Sequence, residues 1–250
     1  INNGIIFAAD NLGYSYALEI KTQKIIWAKN FGVPFRSNIK IAFDNMFLSN
    51  QENELFSINI RTGEKNWQFS TTPQILKSKF INNILIDEIS RNIFFLNNNA
   101  ELYSINYNNQ MINWFKSFNK FSSPDVNELF DGTPITLNSN NMIVLSSNLI
   151  TNVDSNSGAT LWTKNISSKV KPVITKNNVF VISENNFLIC LDILNGEIIW
   201  SKKISKEVSK RSEKFNKKYF DKIKVLAIVD SQIFLFSNEG YLLSFEVNSG

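Results

Sequence analysis

The residues that most often carry chemistry in proteins are scarce in this sequence. Its 250 residues include no histidine and one cysteine, Cys190. The absence of histidine excludes histidine-ligated zinc, haem attached through Cys-x-x-Cys-His, and any catalytic triad that uses imidazole. One cysteine cannot form an internal disulfide. We therefore expect no metal site and no cofactor held by histidine or paired cysteines.

Carboxylates are the remaining candidates for a metal site. Asp125, Glu128 and Asp131 lie close together in the sequence, and their oxygens are of the kind that calcium binds. They fall in a stretch predicted as a loop between two repeats, where acidic side chains are usually solvated. The solvated interpretation is therefore the one we adopt for these three residues.

The overall composition limits the classes of partner. A net charge of +4 and a pI near 9.0 are mildly basic, which permits attraction to an anionic surface but does not predict nucleic-acid binding. No apolar run approaches the roughly 18 residues that a transmembrane helix needs. Hydrophobic residues make up 43% of the chain, enough for a large core.

A repeated phrase gives the chain its organisation. Five tryptophans follow one another at intervals of 40, 47, 48 and 38 residues, and each has an apolar residue nine positions earlier. Between the two lies a turn, which contains glycine in three copies. The tryptophans are Trp27, Trp67, Trp114, Trp162 and Trp200, and the turn glycines are Gly63, Gly158 and Gly196. A sixth copy, "LLSFEVNSG", aligns Gly250 with these glycines.

The residues around each phrase alternate with the period of a β-strand. In "ELFSIN", for example, Leu55 and Ser57 face one way and Phe56 and Ile58 the other. Two further strands precede this one in each repeat, and the tryptophan lies on a fourth. We therefore predict an all-β fold, a β-propeller of four-stranded antiparallel blades. A β-solenoid is the competing fold, but its rungs are usually shorter.

The phrase also predicts how the blades are joined. A glycine in the turn supplies the positive φ of a tight hairpin, and the acidic or amide residue before the turn, such as Asn59 or Asp192, can accept hydrogen bonds from its amides. The tryptophan should then lie across the boundary with the next blade. We predict that the five tryptophans are structural.

The repeats divide the chain into one propeller domain, 1–250. The predicted units are a partial blade 1–27, full blades 28–67, 68–114, 115–162 and 163–200, and a partial blade 201–250. The first unit lacks its innermost strand and the last lacks its tryptophan strand. We therefore expect a fragment of a larger ring of seven or eight blades.

The phrase resembles the repeat of the pyrroloquinoline-quinone (PQQ)-type propellers, which is approximately A-x-D-x-x-T-G-x-x-x-W. The best matches are "SINIRTGEKNW" and "CLDILNGEIIW". The compact blades, with "VPFRS" and "DGTP" at the start of inner strands, are similar to the outer-membrane protein assembly factor BamB, alphaproteobacterial type. This resemblance implies an eight-bladed, non-catalytic, periplasmic lipoprotein that binds the barrel-inserting subunit, with its lipid anchor outside this fragment.

Two other functions remain open at this point. A PQQ-dependent quinoprotein dehydrogenase shares the repeat, and would need calcium and flat aromatic surfaces around the quinone. Many such enzymes also carry adjacent cysteines, which this chain lacks. A WD-type scaffold is weaker, because its Gly-His dipeptide requires histidine. We predict a scaffold and no enzyme activity.

Three features could contact partners or explain single residues. The insertion 205–222 is rich in lysine and arginine and is either a solvated loop or a docking segment for an acidic partner or anionic lipid. Arg36 begins an inner strand and either faces the channel rim or pairs with a carboxylate. Cys190 aligns with Ala17 and Ser57, so we interpret it as a small core residue. The basic candidates in the insertion are Lys210, Arg211, Lys214, Lys217 and Lys218.

Overall fold

The chain folds as β-strands in two compact units. The structure, a computed structural model, describes residues 1–73, 80–118, 133–146, 148–209 and 223–249. The units comprise residues 1–131 and 132–250. In the described parts of the chain, no helical segment has the length and apolar composition needed to cross a bilayer.

The first unit contains three antiparallel sheets whose strands pair in chain order. Sheet 1 consists of β1 (Ile5–Ala9), β2 (Tyr14–Glu19) and β3 (Ile25–Asn30); sheet 2 of β4 (Lys40–Ala42), β5 (Asn45–Ser49), β6 (Glu54–Asn59) and β7 (Lys65–Ser70); sheet 3 of β8 (Asn83–Asp87), β9 (Asn92–Leu96), β10 (Glu101–Asn106) and β11 (Ile112–Ser117).

The second unit is built in the same way, with one short helix after its second sheet. Sheet 4 consists of β12 (Thr136–Asn138), β13 (Asn141–Ser146), β14 (Leu149–Asp154) and β15 (Thr160–Asn165); sheet 5 of β16 (Val173–Ile174), β17 (Asn178–Ile182), β18 (Phe187–Asp192) and β19 (Ile198–Lys203); helix α1 (Ile204–Ser209) follows; sheet 6 consists of β20 (Ile223–Val229), β21 (Gln232–Ser237) and β22 (Leu242–Glu246).

The four-stranded sheets confirm the predicted four-stranded antiparallel blade, and the first and last sheets have three strands each. Sheet 1 holds the strands that correspond to the second, third and fourth of a blade, and sheet 6 holds the first three. Each fourth strand continues three residues beyond its tryptophan. A blade defined by its sheet therefore ends at residue 30, 70, 117, 165 or 203.

Side chains from neighbouring sheets of a unit form the core. All five residues of β5 are buried, because successive side chains point to opposite faces and sheet 2 is covered on both. Met46 and Leu48 pack with Phe7 of sheet 1, whereas Phe47 packs with Phe95 of sheet 3. In the second unit, Phe180 and Leu235 are buried between sheets 5 and 6.

A β-bulge recurs at one position of the repeat. The register of the third and fourth strands shifts immediately after the residue that pairs with the tryptophan, as at Ser57/Ile58 opposite Trp67 and Cys190/Leu191 opposite Trp200. The same shift occurs in sheets 1, 3 and 4. Because a bulge bends and twists its strand, it re-aims the tryptophan relative to the rest of the sheet.

Candidate protein-interaction surface and its supporting seams

The turns that join the third and fourth strands, which we call the repeat turns, have one hydrogen-bonded form. They comprise residues 19–24, 59–64, 106–111, 154–159 and 192–197. In 59–64, the Asn59 side-chain oxygen accepts from the amides of Arg61 (2.9 Å) and Thr62 (3.1 Å). The Asp192 carboxylate does the same for Leu194 (2.8 Å) and Asn195 (3.2 Å). The predicted role of these acceptors is confirmed.

Two tryptophan rings lie against the glycine of the following repeat turn, at the packed boundary between neighbouring sheets, which we call a seam. A Cβ added to Gly63 would lie 2.7 Å from the Trp27 ring, and one added to Gly196 would lie 2.7 Å from the Trp162 ring. The indole nitrogen of Trp27 donates to the Ile60 carbonyl (2.9 Å), and that of Trp162 donates to the Ile193 carbonyl (2.8 Å). Both indoles are buried. At these two seams the turn glycine is required because its missing side chain leaves room for the ring.

The seam between sheets 2 and 3 is packed by different residues. Its repeat turn carries Gln110 with φ 62° at the glycine position, so a Cβ is present there. Trp67 is only partly buried and pairs with Phe47 at 5.9 Å between ring centroids. Instead, Phe43 stacks on Tyr107 of sheet 3 at 4.4 Å. This aromatic pair supplies inter-sheet packing in the absence of the tryptophan–glycine contact.

The remaining predicted structural residues occupy the expected places in their sheets. Trp200 donates to the Val247 carbonyl of sheet 6 (3.2 Å) and lies 6.0 Å from Phe180. Trp114 is partly buried, 5.9 Å from Phe94. Gly158 has φ 74°, as its turn position requires. The predicted assignment of the tryptophans to the fourth strands therefore matches the sheets.

A second repeated feature, not predicted from the sequence, lies at the opposite end of sheets 1, 2, 3, 5 and 6. The turn between the second and third strands begins with an Asp, Asn or Ser side chain that accepts amide hydrogen bonds and ends with a positive-φ residue. The Asn50 oxygen, for example, accepts from the amides of Glu52 and Glu54, both at 3.0 Å. We call these five turns the capping hairpins, and they comprise 10–13, 50–53, 97–100, 183–186 and 237–240.

The capping hairpins hold the connectors that lead from one sheet to the next. The first residue after the fourth strand donates its amide to the carbonyl of the positive-φ residue, as Phe31 does to Gly13 (2.8 Å), Phe118 to Ala100 (2.8 Å) and Ile204 to Asn186 (3.0 Å). We call this end of each sheet, formed by capping hairpins and connectors, the connector end. It is the candidate protein-interaction surface, because loops on a rigid scaffold carry most binding specificity.

A buried amide reinforces the connector end of the first unit. The Asn82 side-chain nitrogen donates to the Ser49 hydroxyl (3.0 Å), the Asn50 carbonyl (3.1 Å) and the Asn53 side-chain oxygen (3.1 Å). Asn82 is 2% exposed. Because it precedes β8 while its acceptors lie at the end of β5 and in the capping hairpin of sheet 2, it links the two neighbouring sheets.

Arg36 lies within this framework, but the prediction that it begins an inner strand is wrong, because β4 begins at Lys40. Its amide donates to the Ser49 carbonyl (2.8 Å) and its own carbonyl accepts from the Asn82 amide (3.1 Å), which places its backbone between sheets 2 and 3. Its side chain is partly buried, and its role at the channel rim stays a prediction. The start of "VPFRS" passes close to Gly13, because a Cβ on that glycine would lie 2.9 Å from the Val33 backbone.

The other predicted contact and ligand residues fall outside the described part of the chain. The basic candidates are in the connector between β19 and β20, and the three carboxylates precede β12. Their predictions stay untested. The residues concerned are Lys210, Arg211, Lys214, Lys217, Lys218, Asp125, Glu128 and Asp131.

The cysteine lies in the core. Cys190 is fully buried and pairs across the sheet with Phe180 on one side and Trp200 on the other. Burial, and after it the charge of Asp192, raises the pKa of the thiol to about 11, which keeps it protonated at neutral pH. Among the described residues, no three cysteine, aspartate or glutamate side chains are grouped so that they could hold a metal ion.

Sequence and structure comparisons agree on the fold. The sequence model of the family described as outer membrane protein assembly factor BamB matches residues 1–202 and, in an overlapping second match, residues 146–250. A search of curated proteins found no match. The crystal structure of BamB from Moraxella catarrhalis superposes on 100% of this chain and 72% of its own, with a TM-score of 0.78 and 14% identity.

Two further solved structures show how widely the fold is shared. The computationally designed Ika8 protein covers 98% of this chain and 69% of its own, with a TM-score of 0.70 and 9% identity. A quinohemoprotein alcohol dehydrogenase from Comamonas testosteroni covers 80% of this chain and 42% of its own, with a TM-score of 0.63 and 13% identity. At these identities the likeness establishes the fold, and the predicted all-β propeller architecture is confirmed.

Proposed function

The chain belongs to the family of the outer membrane protein assembly factor BamB, and on that premise we propose that it is a non-catalytic scaffold that binds partner proteins. The observation that carries the proposal is the family match, whose two segments together span all 250 residues. The proposed setting is the periplasm, in association with the outer membrane through a lipid anchor. The proposed partner is the barrel-inserting subunit of outer-membrane protein assembly.

The connector ends are the proposed contact surface. Their hairpins are held by side chain to backbone bonds and by the amides of the connectors, so they are rigid platforms with little conformational entropy left to lose on binding. Phe31, Thr71, Phe118 and Ile204, each the first residue after a fourth strand, are held at this end. Ile204 opens the connector between β19 and β20, whose sequence contains the basic segment. A partner that engages several loops at once would meet them side by side within a unit.

A quinone-dependent dehydrogenase is the second candidate, because one such enzyme shares the fold. This chain spans 42% of the length of that enzyme, so the likeness covers only part of the machinery that the enzyme needs. The proposal of a scaffold is favoured by the family match, which is to the assembly factor over the whole chain.

Capture of the partner tests the proposal. The purified chain, immobilised through a terminal tag, is exposed to the purified periplasmic domains of the barrel-inserting subunit from the same organism at roughly 150 mM salt. We expect saturable binding, and a variant with Lys210, Arg211, Lys214, Lys217 and Lys218 all changed to glutamate should bind more weakly. Changing five lysines elsewhere to glutamate provides the matched control for net charge. Two lie in a repeat turn, two on fourth strands and one in the turn between β16 and β17: Lys21, Lys24, Lys65, Lys164 and Lys176.

Two outcomes would contradict the proposal. Absence of saturable capture by the wild-type chain removes the scaffold role in barrel assembly. Stoichiometric binding of calcium together with pyrroloquinoline quinone, measured by calorimetry on the same protein, would instead support the dehydrogenase. Equal weakening by the basic-segment variant and by the charge control would leave the scaffold role standing but remove the docking role of residues 205–222.

A further inference from the structure

A cavity lies at the repeat-turn end of the seam between sheets 1 and 2. Its volume is about 330 Å³, within the range of small ligand pockets, which runs from roughly 300 to 1,000 Å³. Apolar side chains from both sheets form its floor: Ile5, Phe7, Ile26 and Ile60. The rim is polar and comprises Asn2, Asn3, Asp44 and Arg61. An apolar floor with few polar groups at the mouth is the usual composition of a binding pocket.

The rim carries one negative and one positive charge, and both are free to pair with a bound ligand. The side chains of Asp44 and Arg61 are exposed, and neither makes a hydrogen bond or ion pair with any other residue in the described ranges. Charged side chains that merely cover a surface are commonly solvated. The position of Asp44, however, is set by an unusual turn.

Asp44 is presented by a strained turn. Phe43 and Asp44 have φ of 53° and 57°, and among the described residues they are the only consecutive non-glycine pair with positive φ. A two-residue hairpin of this kind strongly prefers Asn-Gly, because both central residues need positive φ. A bulky residue in this region is a genuine outlier, and such strain persists only where the surroundings enforce it.

The surroundings of Phe43 do enforce the turn. Its ring stacks on Tyr107 at 4.4 Å, and the Arg91 guanidinium lies 5.3 Å from the ring centroid. The Asn45 side-chain nitrogen donates to the Phe43 carbonyl (2.7 Å) and to the Tyr107 hydroxyl (2.9 Å). On the other side, the Asp44 carbonyl accepts from the Ile60 amide (3.2 Å). Sheet 3 thus clamps the turn, and the clamp fixes Asp44 at the mouth of the cavity.

We propose that this cavity is a partner-binding pocket that accepts one large apolar side chain flanked by a basic residue, which pairs with Asp44, and an acidic residue, which pairs with Arg61. The inference rests on the proposed scaffold function. It adds a second contact, at the end of the sheets opposite the connector ends, and names the chemistry of the partner segment bound there. An apolar anchor that fills a pocket, surrounded by polar contacts at the rim, is the usual form of an interface hot spot. The opposite charges fix the direction in which the segment lies across the rim.

A short peptide probes the pocket directly. Acetyl-Lys-Phe-Glu-amide and acetyl-Lys-Ala-Glu-amide are titrated into the purified chain, and binding is followed by ligand-observed NMR and calorimetry. We expect the phenylalanine peptide to bind at least 10-fold more tightly than the alanine peptide. Asp44→Asn and Arg61→Gln should each weaken binding of the phenylalanine peptide about 2- to 5-fold, as expected for an exposed ion pair.

Two equivalent isoleucines give a matched pair of blocking variants. Ile26 in the pocket and Ile199 in sheet 5 each precede the tryptophan of their repeat, and they are 49% and 53% exposed. Ile26→Trp should abolish binding of the phenylalanine peptide, whereas Ile199→Trp should leave it unchanged. If Ile26→Trp loses the circular dichroism of the native chain, Ile26→Glu with Ile199→Glu replaces it, because a charge on the floor also excludes an apolar side chain.

The outcomes separate this inference from the proposed function. Equal binding of the two peptides, or undiminished binding to a folded Ile26 variant, overturns the pocket. If Asp44→Asn and Arg61→Gln bind the phenylalanine peptide as tightly as the wild type does, the charge pairing is overturned. The site is then an apolar pocket, such as one filled by a free apolar ligand. Capture of the barrel-inserting subunit by wild type and Ile26→Trp alike leaves the scaffold function standing without the pocket. Peptide binding without any capture of that subunit leaves the pocket standing and removes the scaffold role in barrel assembly.

Discussion

Replacing Gly63 by alanine should destabilise the first unit, and the structure allows the cost to be divided into two parts. The first is the left-handed backbone, since Gly63 has φ 73° and an L-residue there costs about 1–2 kcal/mol. The second is steric, because the added Cβ would lie 2.7 Å from two atoms of the Trp27 ring and 3.0 Å from the Lys29 stem. Overpacking of this kind costs about 1–3 kcal/mol. We expect a total loss of roughly 2–5 kcal/mol.

The assay is guanidinium unfolding followed by circular dichroism, with Gly32→Ala as the matched control. Gly32 has φ 78°, yet nothing lies within 4 Å of an added Cβ, so its replacement reports the backbone cost alone. A double-mutant cycle with Trp27→Phe isolates the ring contact, because a smaller ring should bring the cost of Gly63→Ala toward that of the control. If Gly63→Ala costs no more than Gly32→Ala, the close approach of ring and turn is not what this glycine provides.

Substitutions at three further positions test the seams and the core by the same unfolding assay. Cys190→Ala should cost less than Cys190→Ser, because the equivalent Ser57 hydroxyl is buried without a partner. The wild type should also lose more stability than Cys190→Ala as pH rises from 9 to 11, because the unfolded thiol releases its proton near 9.0 while burial raises the folded pKa to about 11. Gln110→Gly should stabilise by about 1 kcal/mol, because glycine adopts positive φ without strain. Quenching of Trp67 fluorescence by acrylamide should also fall, because the ring gains room to pack on the turn. Asn82→Ala should cost about 2–3 kcal/mol, since three buried acceptors lose their donor; a loss below about 0.5 kcal/mol would mean that water replaces the amide.

The sequence predicts one end of the blade well and the other poorly, for a physical reason. At the repeat turns that carry Gly63 and Gly196 the requirements fall on single residue types, since only glycine leaves room for the indole and only a large ring reaches the next sheet. At the capping hairpin the same hydrogen bonds are accepted by Asp10, Asn50 or Ser183. Several side chains meet one geometric need there, so no letter repeats and the pattern is invisible in the sequence.

The cavity between sheets 1 and 2 could not be predicted for a related reason. Its residues are separated by up to 59 positions, from Asn2 to Arg61, and belong to different repeats. Period-two alternation assigns Ile5 and Phe7 to one face of a strand, but it does not say how closely the next sheet fills that face. The strained turn at Phe43 is equally hidden, because nothing local distinguishes it from an ordinary hairpin until Tyr107 and Arg91 are placed beside it.

The two kinds of seam in the first unit lead to a consequence for stability. Trp27 depends on a glycine and a carbonyl of the following sheet, so its burial is a nearest-neighbour contribution of the kind found in repeat proteins. At the next seam, Gln110 blocks that contact and the stack of Phe43 on Tyr107 takes its place. Gly63→Ala should therefore accelerate amide hydrogen exchange at the seam between sheets 1 and 2, while exchange in sheet 5 remains slow. Uniform acceleration of exchange throughout the chain would instead mean that the sheets unfold together and that the seams are not separable contributions.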